Sequence, residues 1–185
     1  MQGTSTTING LDMEKLAGLV EAIERDPRAG AAGFRVATSW TGGAASTTRV
    51  FDWAIGGERK VRGFEFKSDE PTELLGDASA PNPQELLMGA LNACMMVGFV
   101  AGCALKGVRL ESLDFVCEGE LDLRGFLGLS ESVKPGYERI HIEVRVRGDG
   151  TPAQYEEVME MVRKTSPNYF NITRPVVVTA GVKAV

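Results

Sequence analysis

The chain switches between two hydrophobic periods, and the switches divide it into elements. Met13, Leu16, Val20 and Ile23 recur at helical spacing, which predicts a helix that Asp26-Pro27 ends. Ala29-Gly30-Ala31-Ala32-Gly33 reads as a flexible joint, so residues 1–33 form an N-terminal helix with its linker and residues 34–185 the main domain. Beyond the joint the period falls to two. Phe34, Val36 and Trp40 alternate, Gly42-Gly43 turns the chain, and Val50, Phe51 and Trp53 mark a second strand. Gly56-Gly57 predicts a hairpin into a third strand, which carries Val61, Phe64 and Phe66 and ends near Lys67.

A polar loop from Ser68 to Pro81 precedes a long apolar run. Asn82 suits an N-cap, Pro83 the first helical position, and Glu85 completes a capping box. From Leu86 to Leu105 the only conventional polar side chain is Asn92, and Gly107 closes the helix. That length raises a membrane span. Gly89, Gly98 and Gly102 dilute the run, and amphipathic strands flank it, so a central helix wrapped by sheet is the more economical reading.

Leu113, Phe115, Cys117, Gly119, Leu121 and Leu123 then alternate with a mainly acidic face, which predicts a strand paired against Arg139, Arg145 and Arg147 of the next one. Thr151-Pro152 caps a helix with Tyr155, Val158, Met159 and Val162 on one face. Ser166-Pro167 caps a short helical turn to Ile172, and residues 174–179 read as a closing strand. The order βββ-α-ββ-α-β predicts an α+β fold with antiparallel sheet.

Composition narrows the chemistry. A chain of 185 residues is one domain, and 25 acidic against 20 basic residues leave −5, which argues against a nucleic-acid partner. Three cysteines, an odd number without CxxC spacing, argue against a thiolate metal site and for a reducing compartment, the cytoplasm. The single histidine, His141, sits on the polar face of its strand, so neither a histidine triad nor a histidine metal site is expected. No cofactor and no metal are predicted.

Ala90, Cys94, Gly98 and Gly102 fall every fourth residue on the long helix. Small residues at that spacing make a groove into which a second helix, or a second subunit, can approach. Cys94 is either a small buried hydrophobe or a reactive thiol in that groove, and a reactive thiol needs a cation nearby. Cys103 and Cys117 read as core.

Asn82-Pro83-Gln84-Glu85-Leu86-Leu87 followed by Gly89-Ala90-Leu91-Asn92-Ala93-Cys94 resembles the signature of the OsmC/Ohr family, the osmotically inducible and organic-hydroperoxide-resistance proteins. Asp69-Glu70-Pro71 with Leu75-Gly76, Glu118-Gly119-Glu120-Leu121, Val133-Lys134-Pro135-Gly136-Tyr137 and Ser166-Pro167 support it, so the resemblance runs from about Phe34 to Val185. It implies antiparallel sheets wrapped around a long central helix in an intertwined homodimer. It also implies that Cys94 is the peroxidatic cysteine, whose thiolate opens a hydroperoxide O–O bond.

Three positions depart from the family pattern. Gln84 stands where the family places a Glu, Lys67 where it places an Arg, and Ser166 where it places the resolving cysteine. A Lys offers positive charge without the planar fork of Arg. Without a resolving thiol, a sulfenic acid on Cys94 needs an external thiol reductant. Two functional classes follow: thiol-dependent reduction of organic hydroperoxides through Cys94 alone, or a non-catalytic dimer that holds a small apolar ligand. Neither involves nucleic acid or membrane.

Overall fold

A computed structural model describes residues 6–184. The chain divides into two compact units, one ending at Met88 and the other beginning at Gly89.

In the first unit, β1 (Thr7–Ile8) and β2 (Leu11–Asp12) form a small antiparallel hairpin, too short to leave a period-two signal in the sequence. α1 (Met13–Arg25) follows at once. The Asp12 carboxylate accepts the backbone N–H groups of Glu14 and Lys15, both at 3.1 Å, and so satisfies two donors that no helical carbonyl can reach. Asp26 ends the helix and caps a 3-10 turn over Pro27–Gly30.

Four strands make the main sheet: β3 (Ala32–Gly42), β4 (Ala45–Ile55), β5 (Glu58–Val61) and β6 (Glu65–Ser68). β4 is central. β3 pairs along one edge, while β5 and β6 share the other. The single third strand expected from Val61 to Lys67 is therefore two pieces. The register step between Arg35/Asp52 and Val36/Val50 leaves Phe51 as an extra residue, a bulge that turns Asp52 under the sheet. Asp52 is buried, and Arg35 at 2.6 Å and Arg59 at 2.8 Å compensate its charge.

The loop after β6 is built on one carboxylate. Buried Asp69 accepts from Ser79 Oγ at 2.7 Å and from the backbone N–H groups of Ser79, Asp77 and Glu70 at 3.1, 3.2 and 2.8 Å. These donors, the Ser79 hydroxyl foremost, hold the Asp69 carboxyl below its ordinary range. The loop delivers the chain to α2 (Pro83–Leu105), where the expected capping box forms: Glu85 N–H donates to Asn82 Oδ1, and Asn82 N–H to Glu85 Oε2, both at 2.8 Å.

The second unit holds the rest of α2, then β7 (Leu110–Gly119), α3 (Leu123–Phe126), β8 (Ile140–Gly148), α4 (Pro152–Thr165) and α5 (Pro167–Thr173). β7 and β8 pair antiparallel, with Leu113 opposite Val146, Phe115 opposite Val144 and Cys117 opposite Ile142. These side chains pack on Leu91, Met95, Phe99 and Cys103 of α2 and on Val158 and Val162 of α4. Phe99 anchors the cluster, edge-on to Phe115 with centroids 6.1 Å apart and stacked on Tyr155 at 6.3 Å. Each such buried apolar side chain contributes about 1.5–3 kcal/mol. α2 is long and apolar enough to cross a membrane by length and composition, and within this unit Leu91, Met95, Phe99 and Cys103 face the cluster while Val97 and Leu105 are exposed.

Two expected strands change. β7 stops at Gly119, where a Cβ would meet the Tyr137 ring at 3.0 Å and Arg139 O at 3.1 Å. Asp122 then caps α3, so Leu123 enters a helical turn rather than a strand. Residues 174–184 carry no regular structure, and Val177 is 92% exposed. Their valines favour a strand, but no described strand pairs with them, and a strand needs a hydrogen-bonding neighbour.

Candidate functional site

The small-residue row on α2 is occupied, and its occupant belongs to the same chain. A Cβ at Gly102 would lie 2.9 Å from Val158 Cγ1, and one at Gly98 would lie 3.4 Å from Val162 Cγ2. Helix α4 thus crosses α2 over Gly98 and Gly102. The groove expected to receive a second helix or a second subunit receives α4.

Cys94 and Ala90 continue the row to the α4–α5 junction. Ser166 is both the C-cap of α4 and the N-cap of α5. Its N–H donates to Val162 O at 2.8 Å, and its Oγ accepts from Tyr169 N–H at 3.4 Å. From this position the buried hydroxyl donates to Cys94 Sγ at 3.4 Å. Asn168 Nδ2 donates 2.9 Å to Ala90 O, the carbonyl one turn before Cys94. The Ser166-Pro167-Asn168 segment therefore grips α2 twice, once at the sulfur and once at the backbone beneath it.

The three thiols differ in setting. Cys94 is half-buried beside a polar partner. Cys103 is fully buried, and burial pushes its thiol up. The Cys117 thiol is also raised, by burial first and by the Glu118 charge second. All three are free.

Ser166 and Cys94, singled out from the sequence, are brought together. Lys67 and Gln84 belong to the first unit: Lys67 is exposed on β6 opposite Thr47, and Gln84 lies in the first turn of α2, beside the Glu85 that closes the capping box. His141 faces outward, as its alternation predicts. It helps line an open groove of about 610 Å³ with Glu118, Glu120, Glu138 and Arg139, and Cys94 does not line that groove. Asn168 was not singled out from the sequence. Its only signal was its place two residues after an N-cap serine, where an amide can reach back to a neighbouring helix.

The OsmC-like protein family matches residues 76–181, and the chain belongs to that family. Among curated proteins, none matches the sequence. Solved structures share the fold at low identity. The OsmC-like protein of Mycoplasma pneumoniae is 13% identical, with a TM-score of 0.61 over 76% of this chain and 87% of its own. An OsmC-like protein of unknown function from Vibrio cholerae is 15% identical, with a TM-score of 0.55 over 74% and 91%. The organic hydroperoxide resistance protein OsmC of Legionella pneumophila is also 15% identical, with a TM-score of 0.50 over 76% and 88%.

Proposed function

We propose that the chain is a thiol-dependent hydroperoxide reductase that works through Cys94 alone. The observation that carries this reading is the setting of the sulfur. Cys94 stands at the signature position, half-buried and hydrogen-bonded to Ser166, while Cys103 is fully buried and Cys117, also half-buried, packs against the core. In the reaction, the Cys94 thiolate attacks the terminal oxygen of an organic hydroperoxide. The O–O bond breaks, sulfur is oxidised to sulfenic acid, and the alkoxide leaves and takes a proton to become the alcohol. An external thiol then displaces water from the sulfenic acid to form a mixed disulfide. A second external thiol releases Cys94 as thiol and departs as the oxidised disulfide.

The resemblance assigns Lys67 and Gln84 the places of the family's Arg and Glu. A lysine there supplies charge as a point, and a neutral amide replaces the carboxylate that would hold an arginine. The working assembly we propose is a homodimer. Its support is apolar surface exposed on the single chain: Phe34 at 79% and Trp40 at 77% on the first sheet, Val97 at 71% on α2, and the valines after α5. Three unpaired thiols support a reducing compartment, the cytoplasm.

The test is hydroperoxide consumption with a dithiol present, for wild type and Cys94→Ser, with cumene hydroperoxide and hydrogen peroxide side by side. Consumption that disappears in Cys94→Ser supports the reading. Absence of consumption in both proteins overturns it and leaves the non-catalytic small-molecule binder.

A further inference from the structure

We infer that Arg35 and Arg59, held on the two oxygens of Asp52 in the first sheet, form a binding site for a singly charged oxyanion, a carboxylate carried on a short apolar body. The site involves no part of the second unit and goes beyond the proposed reductase reading.

The bulge in β4 builds it. Pairing sets Arg35 of β3 and Val61 of β5 on either side of Asp52, so the three side chains share one face of the sheet. Arg59, two residues before Val61, points to that face as well. The extra residue of the bulge adds Phe51, and the Arg35 guanidinium lies over its ring, 5.1 Å from the centroid.

Asp52 is 5% exposed, and one guanidinium is enough to neutralise it. Two are present: Arg35 Nη2 donates to Oδ2 at 2.6 Å and Arg59 Nη1 to Oδ1 at 2.8 Å. The buried carboxylate is over-compensated, and the trio carries one net positive charge. Each guanidinium gives Asp52 a single N–H and donates to no other described residue, which leaves further donors of its fork unused. Both arginine side chains are more than half exposed, so a ligand can reach those donors. Asp52 therefore acts as a template: it fixes two forks in place before anything binds.

Neighbouring acids do not cancel the excess. Strands β3 to β6 hold two other acidic residues. Glu65 is paired with Arg49, and Glu58 stands opposite Ile55 on the other face. Residues 32–68 carry six basic and three acidic side chains in a chain whose net charge is −5.

The net charge and the shape of the site select the ligand. One positive charge suits a monoanionic carboxylate better than a dianionic phosphate, and a planar fork matches a planar carboxylate. Beside the forks, Val61 is 87% exposed and Phe51 41%. An apolar body attached to the carboxylate gains by covering them. A purely structural ion pair needs neither the second arginine nor open apolar side chains beside it.

The experiment is isothermal titration calorimetry on the full chain with octanoate, acetate, inorganic phosphate and octyl glucoside. Octanoate is expected to bind as one molecule per chain. Acetate, which lacks the apolar body, is expected to bind at least about tenfold more weakly. Phosphate and the uncharged octyl glucoside are expected to show no saturable binding. Arg59→Gln removes one fork while Arg35 still partners Asp52, and it should weaken octanoate by at least about tenfold. Val61→Asp sets a carboxylate at an exposed position beside the site, leaves both ion pairs intact and should weaken octanoate as much. Arg49→Gln, on the same face but outside the trio, stays near wild type.

Thermal melts establish that each variant is folded, and Val61→Asp decides the matter if Arg59→Gln is not. Failure of octanoate to saturate wild type at millimolar concentration overturns the inference. So does an unchanged affinity in a folded Arg59→Gln or Val61→Asp, an equal loss in Arg49→Gln, or phosphate binding more tightly than octanoate. No hydroperoxide takes part, so a chain that consumes no peroxide leaves the result standing, and an active chain that ignores octanoate sinks this inference alone.

Discussion

Gly102 of α2 faces Val158 of α4 so closely that a methyl group between them has no room: its carbon would lie 2.9 Å from Val158 Cγ1 and 2.6 Å from Met161 Cε. Met161 can swing its terminal carbon aside. Val158 cannot, because its branched side chain is fully buried.

Gly102→Ala is therefore expected to lose about 1–2 kcal/mol, since overpacking outweighs the gain in helix propensity. Gly98→Ala, only 3.4 Å from Val162, is expected to be neutral or slightly stabilising. Urea denaturation of both variants checks the contrast. Equal losses at the two sites would mean that α4 does not seat on the row as described.

The core centred on Phe99 makes a larger demand. Phe99→Ala removes a ring that contacts both Phe115 and Tyr155, and it is expected to cost about 3–5 kcal/mol. The same denaturation experiment measures it, and a loss below about 1 kcal/mol would show that the ring is not the anchor of the second unit.

Thiol accessibility should follow position along α2 and β7. In the native protein, iodoacetamide is expected to label Cys94 first, and to reach Cys103 and Cys117 only after denaturant is added. Cys103 is fully buried, Cys117 is half-buried against the core, both thiols are raised, and the thiolate is the reacting form. Peptide mapping after timed labelling reads the order directly, and early labelling of Cys103 would contradict its burial.

Replacing the hydroxyl by a thiol should change the oxidation product. Ser166→Cys puts a second sulfur where an oxygen now lies 3.4 Å from Cys94 Sγ. A small rotamer adjustment then brings the pair to disulfide distance, about 2.05 Å. Treatment with cumene hydroperoxide is expected to yield an intramolecular disulfide, seen as the loss of two titratable thiols that dithiothreitol restores. Wild type under the same conditions retains no such bridge.

Acid stability tests the loop built on Asp69. Its carboxyl, and that of Asp122 at about 2, lie below their ordinary values, Asp122 through hydrogen bonds from the Arg124 side chain and backbone. A depressed folded-state value means the group stabilises the fold above its unfolded-state value, and the contribution is lost as pH falls through the folded-state value. Stability is expected to decline below about pH 4, the ordinary carboxylate range. Asp69→Asn should flatten part of that decline and lower Tm at neutral pH by roughly 5 °C. Thermal melts from pH 2 to 7 provide the comparison, and an identical acid limb in the variant would remove Asp69 from the account.

Much of this protein follows from local rules. The capping box of Asn82 and Glu85, the Thr151 and Ser166 caps, the alternation of β8 and the outward face of His141 rest on neighbours at most a few residues apart. Such contacts are written in the sequence itself. The signature around Cys94 likewise marked the family. Other features depended on partners distant in the chain. Whether the glycine row received a subunit or α4 turned on where Val158 and Val162 came to lie, some sixty residues away. Whether Ser166 was only a cap or also a partner of Cys94 turned on the same crossing. The valines after α5 have strand propensity in any context, yet without a hydrogen-bonded neighbour they form no strand. Propensity is local and pairing is not, so the sequence determined most of the elements and singled out Cys94, while the tertiary structure decided what faces its sulfur.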